Sequence, residues 1–522
     1  MSRQIQLNLS PEAASDESTI RKTAAAAAKV DVSDVSLLRI IKKSVDARQR
    51  NIRVNLTIEL FTAGESPGPV IVPFCPQEVS EKREVIIAGA GPAGLFAALR
   101  LIELGIRPVI IERGKDVSSR KRDIAMISRE HIIDPDSNYC FGEGGAGTYS
   151  DGKLYTRSKK RGTNSRVLEL LCLHGAKENI LYEAHPHIGS DKLPGIIAAI
   201  RRTILEAGGL IFLEKRITDI VIEGNHVSGV VTSGNEKFSS SELILATGHS
   251  ARDIIAICMR RGINIEMKPF AVGVRAEHPQ ELIDRIQYHG NPRGEFLPSA
   301  SYSIVRQVDG RGVYSFCMCP GGFIVPSATS GEEVVVNGMS PSGHNSPFAN
   351  SGIVVEIRPE DLKKYSESGE LAGLEFQKSL EREAWIKGGQ TQRAPAQRLG
   401  DFVEGRLSAS LPAVSYVPGV QSSPLHDWLP PSIGNRLREG FRIFGRQLRG
   451  YLTNDAVILG VESRTSSPVR IPRKDDTMEH ISVSGLYPCG EGSGYSGGIV
   501  SSAVDGMKAA EAVARKLNLP VS

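Results

Sequence analysis

A glycine-rich turn near residue 90 constrains the fold of this chain more than any other feature of its sequence. An apolar run, residues 85–88, leads into Gly89, Gly91 and Gly94, and a stretch rich in Ala and Leu follows. A second apolar run ends at Glu112. This order of strand, tight turn, helix and strand within roughly 30 residues is that of a βαβ unit. It predicts an α/β fold built on a parallel sheet with a crossover helix.

The spacing of these residues suits a dinucleotide. Gly89 permits the tight turn, Gly91 lets the backbone approach a pyrophosphate, and Gly94 allows the helix to pack closely on the strand. The N-terminus of the helix presents free N–H groups and a partial positive charge to the phosphates. Glu112 is expected to accept hydrogen bonds from the adenosine ribose, which favours FAD or NAD over NADP in a Rossmann-type domain. Three neighbours are assigned to the same site, namely Pro92, Ala93 and Arg113.

Three further motifs follow in chain order. The first is FGEGGAGTYSDGK, residues 141–153, with five glycines between positions 142 and 152. Such a segment carries little side-chain bulk and can follow a cofactor closely, and Thr148 adds a hydroxyl donor. The second is LILATGH, residues 243–249, and the third is GLYPCGEGSGYSGGI, residues 485–499. Glu491 follows a strand in the third motif, which places its carboxylate where open α/β sheets bind ligands.

Taken together, these motifs resemble the FAD-binding elements of the two-dinucleotide-binding-motif flavoproteins. Within that group the sequence is similar, over residues 84–515, to bacterial FAD-dependent dehydrogenases related to aminoacetone-oxidase and bile-acid-reductase-like flavoproteins. The resemblance implies FAD as the cofactor, the 141–153 loop along its pyrophosphate and isoalloxazine, and Glu491 on its ribitol hydroxyls. The cofactor residues that it implies are Gly144, Gly145, Ala146, Gly147, Thr148, Lys153, Ala246, Thr247, Gly248, Gly490, Glu491, Gly497, Gly498 and Ile499.

The helix predicted after Gly497 and Gly498 is expected to direct its first N–H groups toward the flavin N1–C2=O edge. Reduced flavin carries negative charge at that edge, and the partial positive charge of a helix N-terminus stabilises such an anion. The motif therefore predicts a device that tunes the redox potential of the flavin.

Pattern and composition divide the chain into four parts. Residues 1–62 are predicted to form a small βαββ module, and residues 63–80, rich in Pro and Gly, a linker. Residues 81–269 and 460–522 are assigned to a Rossmann-type FAD-binding domain. Residues 270–459 are interpreted as an α+β substrate or cap domain inserted into it.

Two polar blocks and the last motif supply the candidate catalytic residues. Arg464, in ESRTSS, has a planar fork suited to a substrate carboxylate or to the flavin C4=O. The alternative for Arg464 is a structural ion pair with Glu462 or with a neighbouring domain. Gln392 lies in GGQTQRAPAQ, a composition that seldom builds a core. Tyr495, in the last motif, is expected beside the cofactor.

No metal site is predicted. His185 and His187, in AHPHIGSD, could act as acid and base, but no carboxylate stands at metal-ligand spacing, and a turn is the favoured interpretation. The seven cysteines are dispersed and include no C-x-x-C pair, which argues for a reducing compartment and against a flavin-linked disulfide reductase. Cys317 and Cys319 are expected on one face of a buried strand, rather than as a redox or metal pair.

Charge and hydropathy bear on partners and location. Lys and Arg number 63 against 59 Asp and Glu, an excess too small to indicate nucleic-acid binding. The basic segment 435–450 places Leu437, Phe441 and Phe444 near helical periodicity, which favours a surface helix with a buried stripe over an RNA- or membrane-facing helix. No apolar run is long enough to span a bilayer, and a cytoplasmic location is the expectation.

These observations predict an FAD-dependent oxidoreductase, a dehydrogenase that transfers a hydride between a small organic substrate and flavin N5. Only one dinucleotide-binding fingerprint is visible in the sequence. Either the substrate reduces the flavin directly or NAD(P)H docks transiently, and the electron acceptor is left open. Two alternatives remain, a flavin-dependent RNA-modifying or RNA-associated protein and a non-catalytic FAD-binding redox sensor or scaffold.

Overall fold

The computed structural model describes residues 3–65, 67–155 and 164–521. The N-terminal module is a three-stranded antiparallel sheet whose central strand is the last of the three in sequence, and a helix packs on this sheet. Alternate residues of the central strand, among them Leu56, Ile58 and Leu60, are buried and form its core. Its elements are β1 (Arg3–Leu9), α1 (Glu17–Ala28), β2 (Val35–Asp46) and β3 (Arg53–Thr62).

The second part of the chain contains the βαβ unit that the glycine spacing predicts. The two strands of this unit, residues 84–88 and 107–111, are buried almost throughout, as expected for strands covered on both faces of a parallel sheet. The elements are β4 (Glu84–Ala88), α2 (Pro92–Glu103), β5 (Arg107–Ile111), α3 (Val117–Glu130), α4 (Ser165–Leu173), α5 (Leu193–Glu206), β6 (Leu210–Phe212), β7 (Ile217–Glu223), β8 (His226–Thr232), β9 (Lys237–Ser239), β10 (Leu243–Leu245) and α6 (Arg252–Arg260).

The third part is an α+β unit around a seven-stranded sheet. Its elements are β11 (Glu266–Met267), β12 (Phe270–Pro279), α7 (Gln280–Gln287), β13 (Val305–Val308), β14 (Arg311–Cys319), β15 (Phe323–Pro326), β16 (Val336–Met339), β17 (Phe348–Ile357), α8 (Ala372–Lys387), β18 (Ala394–Arg398), α9 (Leu399–Glu404), β19 (Val420–Ser422), α10 (Leu425–Trp428), α11 (Pro431–Gln447) and β20 (Val457–Glu462). The strand order of the large sheet is β13-β14-β17-β12-β20-β18-β19. Helix α11 buries Leu437, Phe441 and Phe444, the apolar stripe that its spacing predicts.

The last part of the chain completes the parallel sheet. It comprises β21 (Val469–Arg470), β22 (Leu486–Pro488) and α12 (Ile499–Lys516). Strand β22 pairs with β10, and the order of the sheet is β22-β10-β4-β5-β6, with every neighbouring pair parallel. Helix α12 packs on α2 so closely that a Cβ at Gly506 would lie 2.0 Å from the carbonyl oxygen of Ala93. The predicted fold class, a Rossmann-type parallel sheet with an inserted α+β unit and a βαββ module, is confirmed.

The strand that carries the paired cysteines differs from the expected regular strand. Strand β14 pairs with β17, and its register shifts between Phe316 and Cys319. Cys317 has a φ of 46°, in the left-handed region that a non-glycine residue seldom adopts. The bulge turns Cys317 out of the strand pattern, while Cys319 stays buried. The expectation of a plain strand is therefore wrong at Cys317.

Among the helices that the structure describes, none combines the length and the apolar composition needed to cross a lipid bilayer.

Candidate cofactor site and active site

A cavity of about 350 Å³ lies at the carboxyl ends of the parallel strands. It is lined by residues that follow β4, β5, β10 and β22, and by residues of β14 and β16 from the inserted unit. The carboxyl edge of an open parallel sheet is where such folds bind ligands. The predicted cofactor residues that line it are Gly89, Gly91, Pro92, Ala93, Glu112, Arg113, Gly145, Ala146, Gly147, Lys153, Ala246, Thr247, Gly248, Gly490, Glu491, Gly497, Gly498 and Ile499.

The glycines of the fingerprint hold the turn open at one end of this cavity. Gly89 has a φ of 101°, and a Cβ at Gly94 would lie 2.0 Å from the Gly89 carbonyl oxygen, so strand and helix meet at their backbones. A Cβ at Gly91 would meet nothing nearer than the Cα of Gly145, 3.9 Å away. Among the residues that the structure describes, no side chain caps the N-terminus of α2. Open space before uncapped N–H groups is what a pyrophosphate requires, so these residues fit an FAD.

Glu112 is buried at the end of β5 and is held by the backbone. Its Oε2 accepts a hydrogen bond from the N–H of Ala90 at 2.8 Å, and its Oε1 accepts bonds from Gly114 and Gly142, both at 3.0 Å. A carboxylate offers about four acceptor positions, so capacity remains for a ribose hydroxyl. Glu112 thus both fixes the turn and faces the cavity.

The glycine-rich loop is anchored from behind by Arg120, which the sequence patterns did not single out. The buried guanidinium of Arg120 donates to the carbonyl oxygens of Asn138, Tyr139 and Glu143, at 2.7, 2.8 and 2.9 Å. Thr148 donates its hydroxyl to the same Glu143 carbonyl at 3.1 Å. The Thr148 hydroxyl therefore supports the loop, and neither Thr148 nor Gly144 is among the described residues that line the cavity.

Glu491 and the start of α12 form the opposite wall. Burial raises the pKa of Glu491 to about 7, so this carboxyl group holds a proton more readily than an exposed one. Asp505 fixes the turn before it by accepting from the N–H of Gly490 at 2.8 Å and pairing with Arg473 at 2.7 Å. A Cβ at Gly497 would meet nothing within 4 Å, which leaves the N-terminus of α12 accessible.

The end of the cavity nearest the inserted unit is polar. Lys153 is half-buried there and pairs with the buried carboxylate of Asp151 at 3.0 Å. Cys317 and Asn337 line the same region, and sequence reasoning did not assign either to the site. The pKa of Cys317 is lowered to about 7, chiefly by a hydrogen bond from Cys319 and also by the charges of Lys153 and Arg275, against the effect of burial.

The candidate catalytic residues are placed differently from one another. Arg464 lines the cavity, but its guanidinium is committed to Glu381 at 2.9 Å and Glu333 at 2.7 Å. This is an ion pair with a neighbouring unit, although not with Glu462, which pairs with Arg275 instead. A catalytic role for Arg464 stays a prediction.

Gln392 and Tyr495 are not among the described residues that line the cavity. Gln392 is buried and donates to the carbonyl oxygen of Glu333 at 2.9 Å. The hydroxyl of Tyr495 accepts from the N–H of Arg473 at 2.9 Å and donates to the Ile471 carbonyl at 3.2 Å. Both side chains are held by protein groups, and their catalytic roles also stay predictions.

Family models match four parts of the chain. They are described as a FAD-dependent protein, C-terminal domain-like, at residues 269–465; a FAD binding domain at 82–129; Glucose inhibited division protein A at 195–303; and a domain of unknown function, DUF8436, at 1–61. An uncharacterized protein of Clostridium beijerinckii is 40% identical over 508 residues, which cover 93% of this chain and 94% of that protein. The chain belongs to the same family as this clostridial protein. The matched models make it a flavin-dependent oxidoreductase with FAD as its cofactor.

Other similarities of this flavoprotein are weaker. A thiamine thiazole synthase of Aeropyrum pernix is 29% identical over 153 residues, 29% of this chain and 44% of that protein. Among solved structures, flavin-dependent brominase Bmp2 is 14% identical with a TM-score of 0.36. The match covers 84% of this chain and 80% of the brominase chain. A geranylgeranyl bacteriochlorophyll reductase-like protein of Thermoplasma acidophilum is 13% identical with a TM-score of 0.34 and the same coverage. Structural similarity at this level says nothing about the reaction of the flavoprotein.

Proposed function

We propose that this flavoprotein is a dehydrogenase that transfers a hydride between a small organic substrate and flavin N5. The observation that supports this proposal is the polar end of the cavity, where Lys153, Asp151, Cys317 and Asn337 from two units of the fold converge. Bound FAD would supply a centre that accepts or releases a hydride, which carries two electrons and one proton. The narrower relation to aminoacetone-oxidase and bile-acid-reductase-like flavoproteins stays a prediction.

The residues of the parallel sheet would hold the cofactor. The N-terminus of α2 and the backbone of Gly91 and Gly145 would bind the pyrophosphate, and Glu112 the adenosine ribose. Glu491 would bind the ribitol, and the uncapped N-terminus of α12 would face the flavin ring. In this arrangement the reactive end of the cofactor would face the inserted unit.

The polar end of the cavity offers two groups that could serve a substrate. Lys153 lines the cavity and pairs with one carboxylate, that of Asp151, so its ammonium group keeps donor positions, whereas the guanidinium of Arg464 is paired with two carboxylates. A substrate with an anionic group would therefore be held by Lys153. Cys317 could give or take the proton that accompanies hydride transfer, because the hydrogen bond with Cys319 lowers the pKa of its thiol toward neutrality.

Anaerobic absorption spectroscopy of the purified protein tests the proposal. NADH, NADPH and a panel of amines, hydroxy acids and unsaturated acids are added in turn, and bleaching of the visible flavin band identifies the reductant. Failure of every compound would count against a dehydrogenase and favour the non-catalytic sensor. A C317S variant is expected to bind FAD normally and bleach more slowly, while C75S, which changes an exposed cysteine, is expected to behave like the wild type.

A further inference from the structure

Three side chains with metal-ligating atoms meet beside the cofactor cavity. Asp151 follows the glycine-rich loop, His187 lies in the segment before α5, and His344 lies in the loop after β16. Their ligand atoms all lie within 4.8 Å of one another. The Nε2 atoms of the two histidines are 3.3 Å apart, and Nε2 of His187 is 3.7 Å from Oδ1 of Asp151. The three residues are separated in sequence and converge only through the fold.

One buried carboxylate oxygen of this cluster, Oδ1 of Asp151, lacks a hydrogen-bond donor among the described residues. The two imidazole rings face one another through their Nε2 atoms, and their ring centroids lie 4.1 Å apart. Oδ1 of Asp151 is buried and accepts no hydrogen bond from the residues that the structure describes. A buried carboxylate oxygen without a hydrogen-bond donor is unfavourable, and a bound cation would supply the missing interaction.

The separation of the two imidazole nitrogens matches that in a metal centre. Two nitrogen ligands about 2.0–2.1 Å from a tetrahedral zinc ion lie about 3.3 Å from each other. The two Nε2 atoms already stand at that separation. We propose that Asp151, His187 and His344 bind one divalent first-row transition-metal ion, with Zn²⁺ as the ion that best suits two imidazoles and a carboxylate.

The loops that carry the ligands are fixed to one another. Asp191 accepts from the N–H of Ser342 at 2.7 Å and from its hydroxyl at 2.8 Å, and Ser190 donates its N–H to the Ser340 carbonyl at 3.0 Å. These bonds join the segment of His187 to that of His344. The site is therefore held in place before any ion arrives, which favours binding.

The backbone at His344 is held in an uncommon conformation. Its φ is 46°, and its carbonyl oxygen accepts a hydrogen bond from the hydroxyl of Ser299 at 2.8 Å. A Cβ at Gly321 would lie 1.9 Å from the same carbonyl oxygen, so only glycine permits this packing. Strained residues of this kind concentrate at functional sites.

Lys153 and the proposed metal ion would contact different oxygen atoms of Asp151. Its ammonium group pairs with Oδ2 of Asp151, whereas Oδ1 faces the imidazoles. A ligating carboxylate is usually held by a second partner that orients it, and Lys153 fills that place. Three protein ligands leave a fourth position for water or for an oxygen atom of a substrate. Because Asp151 also lines the cofactor cavity, this position lies at its polar end.

Metal analysis of the full-length protein without a polyhistidine tag tests the proposal. The protein is treated with a chelator, dialysed and titrated with Zn²⁺ by calorimetry, and the bound metal is measured by elemental analysis. We expect one Zn²⁺ per chain. H344A and D151N are each expected to weaken binding at least about a hundredfold, since even indirect partners of a metal site contribute about 10–100-fold.

The neighbouring His185 provides the matched control. It is exposed and lies two residues from His187, outside the cluster, so H185A is expected to bind Zn²⁺ like the wild type. Circular dichroism and FAD content establish that each variant is folded, and D151N keeps the shape of the side chain if H344A does not fold. Absence of bound metal in the wild type, or equal affinity in folded D151N, H344A and H185A, would overturn the assignment whatever the outcome for the flavin chemistry.

Discussion

Gly91 and Gly94 differ in what surrounds them, and substitutions should separate cofactor binding from folding. A Cβ at Gly91 contacts nothing closer than 3.9 Å, but it would project into the space before the N-terminus of α2. G91A is therefore expected to fold with unchanged stability and to lose FAD affinity by at least about tenfold, about 1.4 kcal/mol. The flavin content of the purified variant and its affinity for added FAD are the measurements.

Two further alanine substitutions serve as comparisons for G91A. In G94A the new Cβ would lie 2.0 Å from the Gly89 carbonyl oxygen, so strand and helix must separate and the protein is expected to lose stability as well as flavin. Gly195, in α5, has open space at its Cβ, so G195A should leave FAD affinity unchanged and should not lower stability, because Ala favours a helix more than Gly does. Normal FAD affinity in G91A would show that the pyrophosphate lies elsewhere.

Arg464 is expected to stabilise the folded protein. Its partner Glu381 is fully buried between Arg464 and Arg252, so removing Arg464 leaves this buried carboxylate with only one of its two cations. R464M should lower the free energy of unfolding in urea by about 3 kcal/mol. R382M changes the residue that follows Glu381 on α8 and breaks only an exposed pair with Glu332, so it should change this free energy by less than about 1 kcal/mol. Unchanged stability in R464M would favour a role in binding substrate.

At the scale of elements, strand β12 and the loop before β19 are joined by a buried carboxyl group. Glu277 accepts from the N–H of Ser415 at 2.8 Å and also from its hydroxyl, and burial raises the pKa of Glu277 to about 7. The unfolded chain releases this proton near pH 4.5, before the folded protein does. The contribution of Glu277 to stability is therefore lost as the pH rises from about 4.5 to about 7.

E277Q cannot ionise and should remove that part of the pH dependence. Between pH 5 and 8 the wild type is expected to lose about 3 kcal/mol more unfolding free energy than E277Q, from a shift of about two pKa units or more. Urea unfolding at several pH values measures the difference. E281Q, at an exposed position of α7, should follow the wild type. Parallel curves for wild type and E277Q would contradict the raised pKa.

The sequence predicted local features better than long-range ones. The turn at Gly89, the uncapped helix after it and the placement of Glu112 follow from spacing within one βαβ unit, and the structure has all three. The bulge at Cys317 depends on how β14 pairs with a strand more than 30 positions away. The meeting of His187 with His344 depends on packing between two units, so single-sequence spacing predicted no metal site.

At the scale of the whole molecule, the N-terminal module is attached beside the cavity without lining it. Lys43 exchanges backbone hydrogen bonds with Tyr182 and Ala184, at 2.8 and 2.9 Å, and the Ala47 carbonyl contacts Nε2 of His289 at 2.7 Å. The described cavity-lining residues all come after residue 88. A chain without residues 1–62 is therefore expected to keep one FAD while melting at a lower temperature.

Flavin absorbance and thermal unfolding of that shortened chain provide the test. A chain that stops at residue 484 is the opposite case, because it lacks β22, Glu491 and α12, and it should be colourless. Loss of flavin from the chain without residues 1–62 would show that the module contributes to the cofactor site.

The placement of α12 against α2 sets the order in which the protein can mature. The fingerprint leaves the ribosome well before the wall formed by Gly490, Glu491 and the start of α12. Until that wall has been synthesised, the nascent chain exposes half of a cofactor site. Both halves can hold a flavin only after these residues have emerged, and a stop codon between the two halves is expected to yield a protein that does not retain FAD.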